Sequence, residues 1–277
     1  MERKIVKDLL SWKNNPNKQP LLLQGARQVG KTYILLSFGK RTERMDNVMK
    51  KIGIIGGIGP ASTLDYYGGI VDGYRIKTGS GNYPEIVIDS VNMTEMLSYI
   101  ENEDWDALVN MLVHSISNLY AAGAKIAAIA SNTPHIVFDV VQERSVLPLI
   151  SIVDETCRYA KSKGCKKAVV IGTRFTMGSG LYAKALARFD IAAITPSVDE
   201  QDIIHSIIFP KLEDGVVDPE DKYKMLMLAG RLIAEHNADT LVLACTELPL
   251  MVKEHDIETL ILNTTQIHID AIVNAIS

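Results

Sequence analysis

Along most of this chain a short apolar run is followed by a turn rich in glycine or hydroxyl residues, and then by a longer stretch of helical period. Residues 52–55 read as a buried strand, and the tight turn Gly56-Gly57-Ile58-Gly59-Pro60 follows with Pro60 at a helix start. The pattern predicts a helix over 62–77, a strand over 85–91 and a helix over 104–122. In the last of these, Trp105, Leu108, Val109, Leu112, Ile116 and Leu119 recur on one face, and Gly123 stops the run. Residues 126–130 form another buried strand. From about residue 149 the scheme repeats: helix 154–163, strand 167–171, the turn Gly172-Thr173-Arg174, helix 180–188 and strand 191–194. A helix over 219–237, with Asp218 as N-cap and Pro219 at its first position, leads to a strand over 241–244. A helix over 265–276 closes the chain. Alternating strands and helices with short connections predict an α/β fold of mainly parallel sheets flanked by helices.

Two of these strands end in chemistry. Ser131-Asn132-Thr133-Pro134-His135 follows one, and Cys245-Thr246-Glu247 follows another. Each begins with a small nucleophilic residue, carries a threonine within two positions and opens a helix. Backbone N–H groups and a positive helix terminus there suit an anion. The pairing predicts two similar lobes facing each other across one cleft: the first over 49–147 with 263–277, the second over 148–262. One site carries a thiol and the other only a hydroxyl.

Composition narrows the class. The chain has 277 residues, 47% of them hydrophobic and 22% charged, as expected of a soluble globular protein. A net charge of −4 gives no electrostatic case for nucleic acid or an anionic membrane. Cys157, Cys165 and Cys245 match neither a disulfide framework nor a metal-ligand spacing, so the expectation is a reducing cytoplasm with no bound metal. No apolar stretch approaches a membrane span, and the charged N-terminus does not read as a signal peptide.

Residues 1–48 stand apart. A strand-like run, Pro20-Leu21-Leu22-Leu23-Gln24, precedes Gly25-Ala26-Arg27-Gln28-Val29-Gly30-Lys31-Thr32, a full match to the phosphate-cradling loop. In such a loop Gly25 and Gly30 let backbone N–H groups close on phosphate oxygens, Lys31 reaches the outer phosphates and Thr32 holds magnesium. The segment resembles the opening of an archaeal-type ATPase but stops after one strand, loop and helix. It therefore reads as a relic or fusion. A second glycine turn, at residues 56–59, completes only half of a dinucleotide fingerprint, since Ser62 occupies the third glycine position.

Taken together, Ile54-Ile55-Gly56-Gly57-Ile58-Gly59-Pro60-Ala61-Ser62-Thr63, Asn132-Thr133-Pro134-His135, Gly172-Thr173-Arg174-Phe175-Thr176-Met177 and Cys245-Thr246-Glu247 resemble the aspartate/glutamate racemase family, in that family's order, from about residue 50 onward. The resemblance implies a cofactor-independent isomerase, two α/β lobes, an acidic amino acid as substrate, and a homodimer. It implies one cysteine per lobe flanking the α-carbon: Cys245 occupies one position, and Ser131 replaces the other. It further implies substrate contacts from Asn132, Thr133, Thr246, Glu247, Gly57, Thr173 and His135, and from Lys184 near a side-chain carboxylate. The arginine that relatives use for that carboxylate has no counterpart in 89–95, so aspartate and glutamate stay undivided.

The departure at Ser131 has a chemical consequence. A thiol at a helix N-terminus ionises near neutrality, whereas a serine hydroxyl needs a neighbouring base. The expectation is one-sided chemistry, with Cys245 abstracting the α-proton of one enantiomer. His135 and His268 are candidates for orienting ligand or thiol, and Cys157 and Cys165 are incidental. Two rivals stand beside racemisation. One is a single-cysteine decarboxylase of the same superfamily, and the other is a catalytically silent binder of acidic metabolites.

Overall fold

Among the residues described by this computed structural model, 50–79 and 81–277, eight strands form two separate sheets. The phosphate loop expected at Gly25, Gly30, Lys31 and Thr32 lies outside those residues. The first sheet holds β1 (Ile52–Gly56), β2 (Ile86–Ser90), β3 (Ile126–Ile129) and β4 (Leu149–Ile150), ordered β2-β1-β3-β4. The second holds β5 (Lys167–Gly172), β6 (Ala192–Ile194), β7 (Thr240–Ala244) and β8 (Leu260–Asn263), ordered β6-β5-β7-β8. Every pairing is parallel. The two orders are the same pattern used twice.

Parallel sheets covered on both faces read as unbroken apolar runs, and β1 and β7 are buried at every position. In each sheet the order reverses once, between β1 and β3 and between β5 and β7. At such a switch the flanking connections leave in opposite directions and open a crevice at the carboxyl ends of the strands. Ser131 follows one switch strand, β3, and Cys245 follows another, β7.

The helices are set by caps and apolar faces. Trp105–Ala121 starts where the Asp104 side chain accepts from the Ala107 N–H at 3.0 Å, and it buries Leu108, Leu112, Ile116 and Leu119 completely. Each such leucine or isoleucine contributes about 1.5–3 kcal/mol by burial. Pro219–His236 starts where Asp218 accepts from Glu220 and Asp221, and it ends at Asn237 with φ 47°. The pattern reading assigns no element to Met93–Glu101, which is a helix capped by Asn92, nor to Val198–Ile207, which is opened by a Ser197–Glu200 capping box. Both are short, and local capping rather than long periodicity defines them.

The last helix, Thr264–Ile276, joins the two sheets. Its His268 bonds Tyr66 Oη through Nδ1 at 2.7 Å and the Ile150 carbonyl through Nε2 at 3.0 Å. A carbonyl only accepts, so Nε2 carries the hydrogen and Tyr66 donates to Nδ1. Burial lowers the His268 pKa to about 3, and the ring is neutral and structural. No helix among the described residues is long and apolar enough to cross a membrane.

Candidate active site

A cavity of about 750 Å³ lies at the carboxyl ends of the switch strands. Ser131, Asn132 and Thr133 reach it from the first sheet, and Thr173, Cys245, Thr246 and Glu247 from the second. The structure therefore gathers most of the residues singled out in the sequence around one space. Three it does not.

Lys184 is exposed on the helix Leu181–Ala187, away from the cavity, because its helix turns Tyr182, Ala185 and Leu186 inward. Gly57 serves the turn instead of a ligand. Its N–H is taken by Thr63 Oγ1 at 2.9 Å, its φ is 79°, and a Cβ there would stand 2.4 Å from the Val91 carbonyl. His135 is buried beneath the 3-10 turn Thr133–Val137, stacked on Phe138, and accepts at Nε2 from the Ile152 N–H at 3.3 Å. Burial lowers its pKa to about 4, so this ring too is a neutral packing element.

Hydrogen bonding between the two halves fixes the floor. Tyr182 Oη donates to Asn132 Oδ1 at 2.6 Å, and Asn132 Nδ2 donates to Thr264 Oγ1 at 3.4 Å. Thr264 in turn donates to the Leu243 carbonyl at 2.8 Å. Thr133 Oγ1 bonds Thr176 Oγ1 at 3.1 Å, and Thr176 Oγ1 bonds Thr173 Oγ1 at 3.0 Å. The hydroxyls of Thr133 and Thr173 are thus engaged with the protein.

The thiol also differs from expectation. Cys245 Sγ donates to Glu247 Oε2 at 3.1 Å, and Thr246 Oγ1 donates to the same oxygen at 2.8 Å. Burial, together with the negative charge of Glu247, pushes the Cys245 thiol well above its ordinary range. The helix after Cys245, Leu248–Met251, is a single turn, too short to offset that with a dipole. Cys245 rests as a thiol with a carboxylate base already in contact. Among the described residues, no group of three His, Cys, Asp or Glu side chains stands close enough to hold a metal ion.

Sequence reasoning missed Glu213, which also lines the cavity. No motif surrounds it; tertiary packing brings it opposite Glu247. Burial and the neighbouring Glu247 charge push its carboxyl up to about 7. The two carboxylates converge over Gly59, where φ is 88° and an added Cβ would stand 2.6 Å from Glu247 Oε1 and 3.3 Å from Glu213 Oε1. Gly59→Ala is expected to lose about 1–3 kcal/mol of stability in denaturant unfolding and to slow turnover by displacing Glu247.

Glu213 also predicts a pH dependence. Its folded pKa lies above the usual value of 4.5, so the folded state holds the proton more tightly than the unfolded chain. Stability then falls as pH rises from about 4.5 to 7. Glu213→Gln removes that contribution, and its melting temperature should drop less than the wild type's between pH 5 and pH 8.

Comparison with known proteins places the fold in a family. A family model described as Asp/Glu/hydantoin racemase matches residues 55–272. The chain is 27% identical over 201 residues to the broad specificity amino-acid racemase RacX of Bacillus subtilis, across 71% of this chain and 85% of that one. An aspartate racemase homologue from Pyrococcus horikoshii is 33% identical, with a TM-score of 0.73 over 82% of this chain and 99% of its own. The aspartate racemase of Picrophilus torridus, at 24% identity, shares the fold with a TM-score of 0.64 over 82% of this chain and 94% of its own. This chain belongs to the Asp/Glu/hydantoin racemase family of isomerases.

Proposed function

We propose that the chain exchanges and inverts the α-proton of a free amino acid, with Cys245 acting on one face of the α-carbon and Ser131 on the other. The observation that carries this reading is the Cys245 Sγ to Glu247 Oε2 hydrogen bond, in a cavity that Ser131 also lines. Glu247 takes the thiol proton, and the thiolate removes the α-proton. The electron pair left on carbon delocalises into the α-carboxylate, which in this reading the backbone N–H groups of Asn132, Thr133 and Thr246 bind. Return of a proton from Cys245 gives exchange with retention. Delivery from Ser131, directly or through water, gives inversion. Ser131 then regains a proton from solvent, and Glu247 releases to solvent the proton it took. Cys245 is left as the thiol it was at the start. Because serine donates a proton more readily than it accepts one at neutral pH, the step on the Ser131 face is slow in one direction.

Alpha-proton exchange in heavy water, followed by NMR on the separate enantiomers of aspartate, glutamate and lysine, tests this directly. The expected result is deuterium incorporation into one enantiomer ahead of inversion. Ser131→Cys should raise inversion by about tenfold or more, since a thiol accepts protons where a hydroxyl does not. Absence of exchange from every enantiomer would overturn the proposal and favour the single-cysteine decarboxylase or the silent binder.

A further inference from the structure

The helix Met93–Glu101 has empty space on both of its sides. Met93, Met96, Leu97 and Ile100 line the cavity that Cys245 and Ser131 also line. On the opposite side Asn92, Glu95 and Tyr99 border a second cleft of about 520 Å³. The far wall of that cleft includes Ala107, Met111 and Ser115, from the helix Trp105–Ala121. A helix flanked by two such spaces lacks the packed neighbours that pin most helices in place.

Its polar groups do not tie it down either. Asn92 accepts from the Thr94 N–H, Tyr99 Oη donates to Glu95, and Asn102 Nδ2 donates to the Ser98 carbonyl. All of these close within the helix and its caps. Among the described residues, no side-chain hydrogen bond or ion pair joins Met93–Glu101 to another element. What holds it is apolar packing, with Met96 and Ile100 buried. The neighbouring helix Trp105–Ala121 buries six residues, Leu108, Val109, Leu112, Ser115, Ile116 and Leu119. Segments with few buried apolar contacts are those that open first.

Both ends of the segment meet fixed points. Before it, the Val91 N–H bonds the Gly56 carbonyl at 3.0 Å. After it, Asp104 caps Trp105–Ala121 through the Ala107 N–H. Between Asn102 and Asp104 stands Glu103 at φ 53°, a strained conformation for a residue with a side chain. A turn under strain gives way before regular helix does. The unbranched side chains of Met93 and Met96 keep contact with the core as the helix shifts.

We propose that Met93–Glu101 is a lid on the cavity. It moves as one piece between its two flanking spaces: outward into the cleft to admit substrate, and back to exclude water from Cys245. The inference takes the cavity as the site of reaction, in line with the reading above, but the motion itself requires no turnover.

Amide hydrogen exchange on the protein without substrate, resolved by peptide, tests the motion. Residues 97–100 are expected to exchange at least about a hundredfold faster than residues 108–119. Iodoacetamide labelling of Cys245, read by mass spectrometry, tests whether the motion opens the cavity. Ala107→Phe fills the cleft behind the helix and should slow both rates by about tenfold, whereas Ala107→Ser, too small to fill it, should leave both unchanged. Exchange in 97–100 as slow as in 108–119 would overturn the lid, and this comparison needs no variant to fold. Folded Ala107→Phe protein with both rates at the wild-type level would overturn it too. Slowed exchange with unchanged labelling would do the same, since the helix would then move without opening the cavity. Should no amino acid show Cys245-dependent α-proton exchange, the reading of the reaction fails, and these two rates still decide the lid.

Discussion

Cys245→Ala should reduce α-proton exchange by about a thousandfold or more, the scale on which a positioned acid–base group contributes. The variant loses the only atom in the proposed mechanism that both takes and returns a proton on its face. Stability should change little by comparison, because the sulfur occupies a site whose neighbours, Thr246 and Glu247, remain bonded to each other. Exchange within tenfold of wild type, on protein whose unfolding midpoint is unchanged, would remove Cys245 from the chemistry. Circular dichroism of the same sample guards against misreading an unfolded variant.

Glu247→Gln separates two roles that the geometry leaves joined. If Glu247 is the base that accepts the thiol proton, exchange should fall by about a hundredfold at neutral pH and recover as the pH rises. The same substitution removes a negative charge beside sulfur, so the thiol should ionise at lower pH than in wild type. Alkylation of Cys245 by iodoacetamide across pH reads that second effect. The two measurements are expected to move in opposite directions: a more easily ionised thiol and a slower enzyme. An increase in exchange would mean that Glu247 only suppresses the thiol.

These expectations differ from what the sequence alone supports, and the difference has a physical cause. The strand ends at Ser131 and Cys245 were legible because apolar runs, turns and caps are local. The amphipathic stripe from Trp105 to Leu119 likewise reports its own buried face. The protonation state of Cys245 was not legible, since it depends on burial and on a carboxylate folded against it. Glu213 sits in no motif, and only packing brings it over Gly59 to face Glu247. Lys184 misled for the converse reason: its neighbours in sequence fit the family, while the phase of its helix points it to solvent. The helix Met93–Glu101, which lines the cavity with Met93, Met96, Leu97 and Ile100, is too short for its periodicity to stand out.

The repeated strand order, β2-β1-β3-β4 and β6-β5-β7-β8, gives two halves alike in backbone and unlike in chemistry. Mirror-image substrates have equal free energy in solution, and inversion in either sense passes over one shared barrier. Since kcat/KM measures that barrier from free enzyme and free substrate, it must be the same for both hands, however unequal Ser131 and Cys245 are. The inequality can divide only between kcat and KM, or surface as deuterium washed in without inversion. In the proposed mechanism a lopsided pair of residues therefore sets how kcat and KM divide for each enantiomer, and leaves the equilibrium mixture racemic.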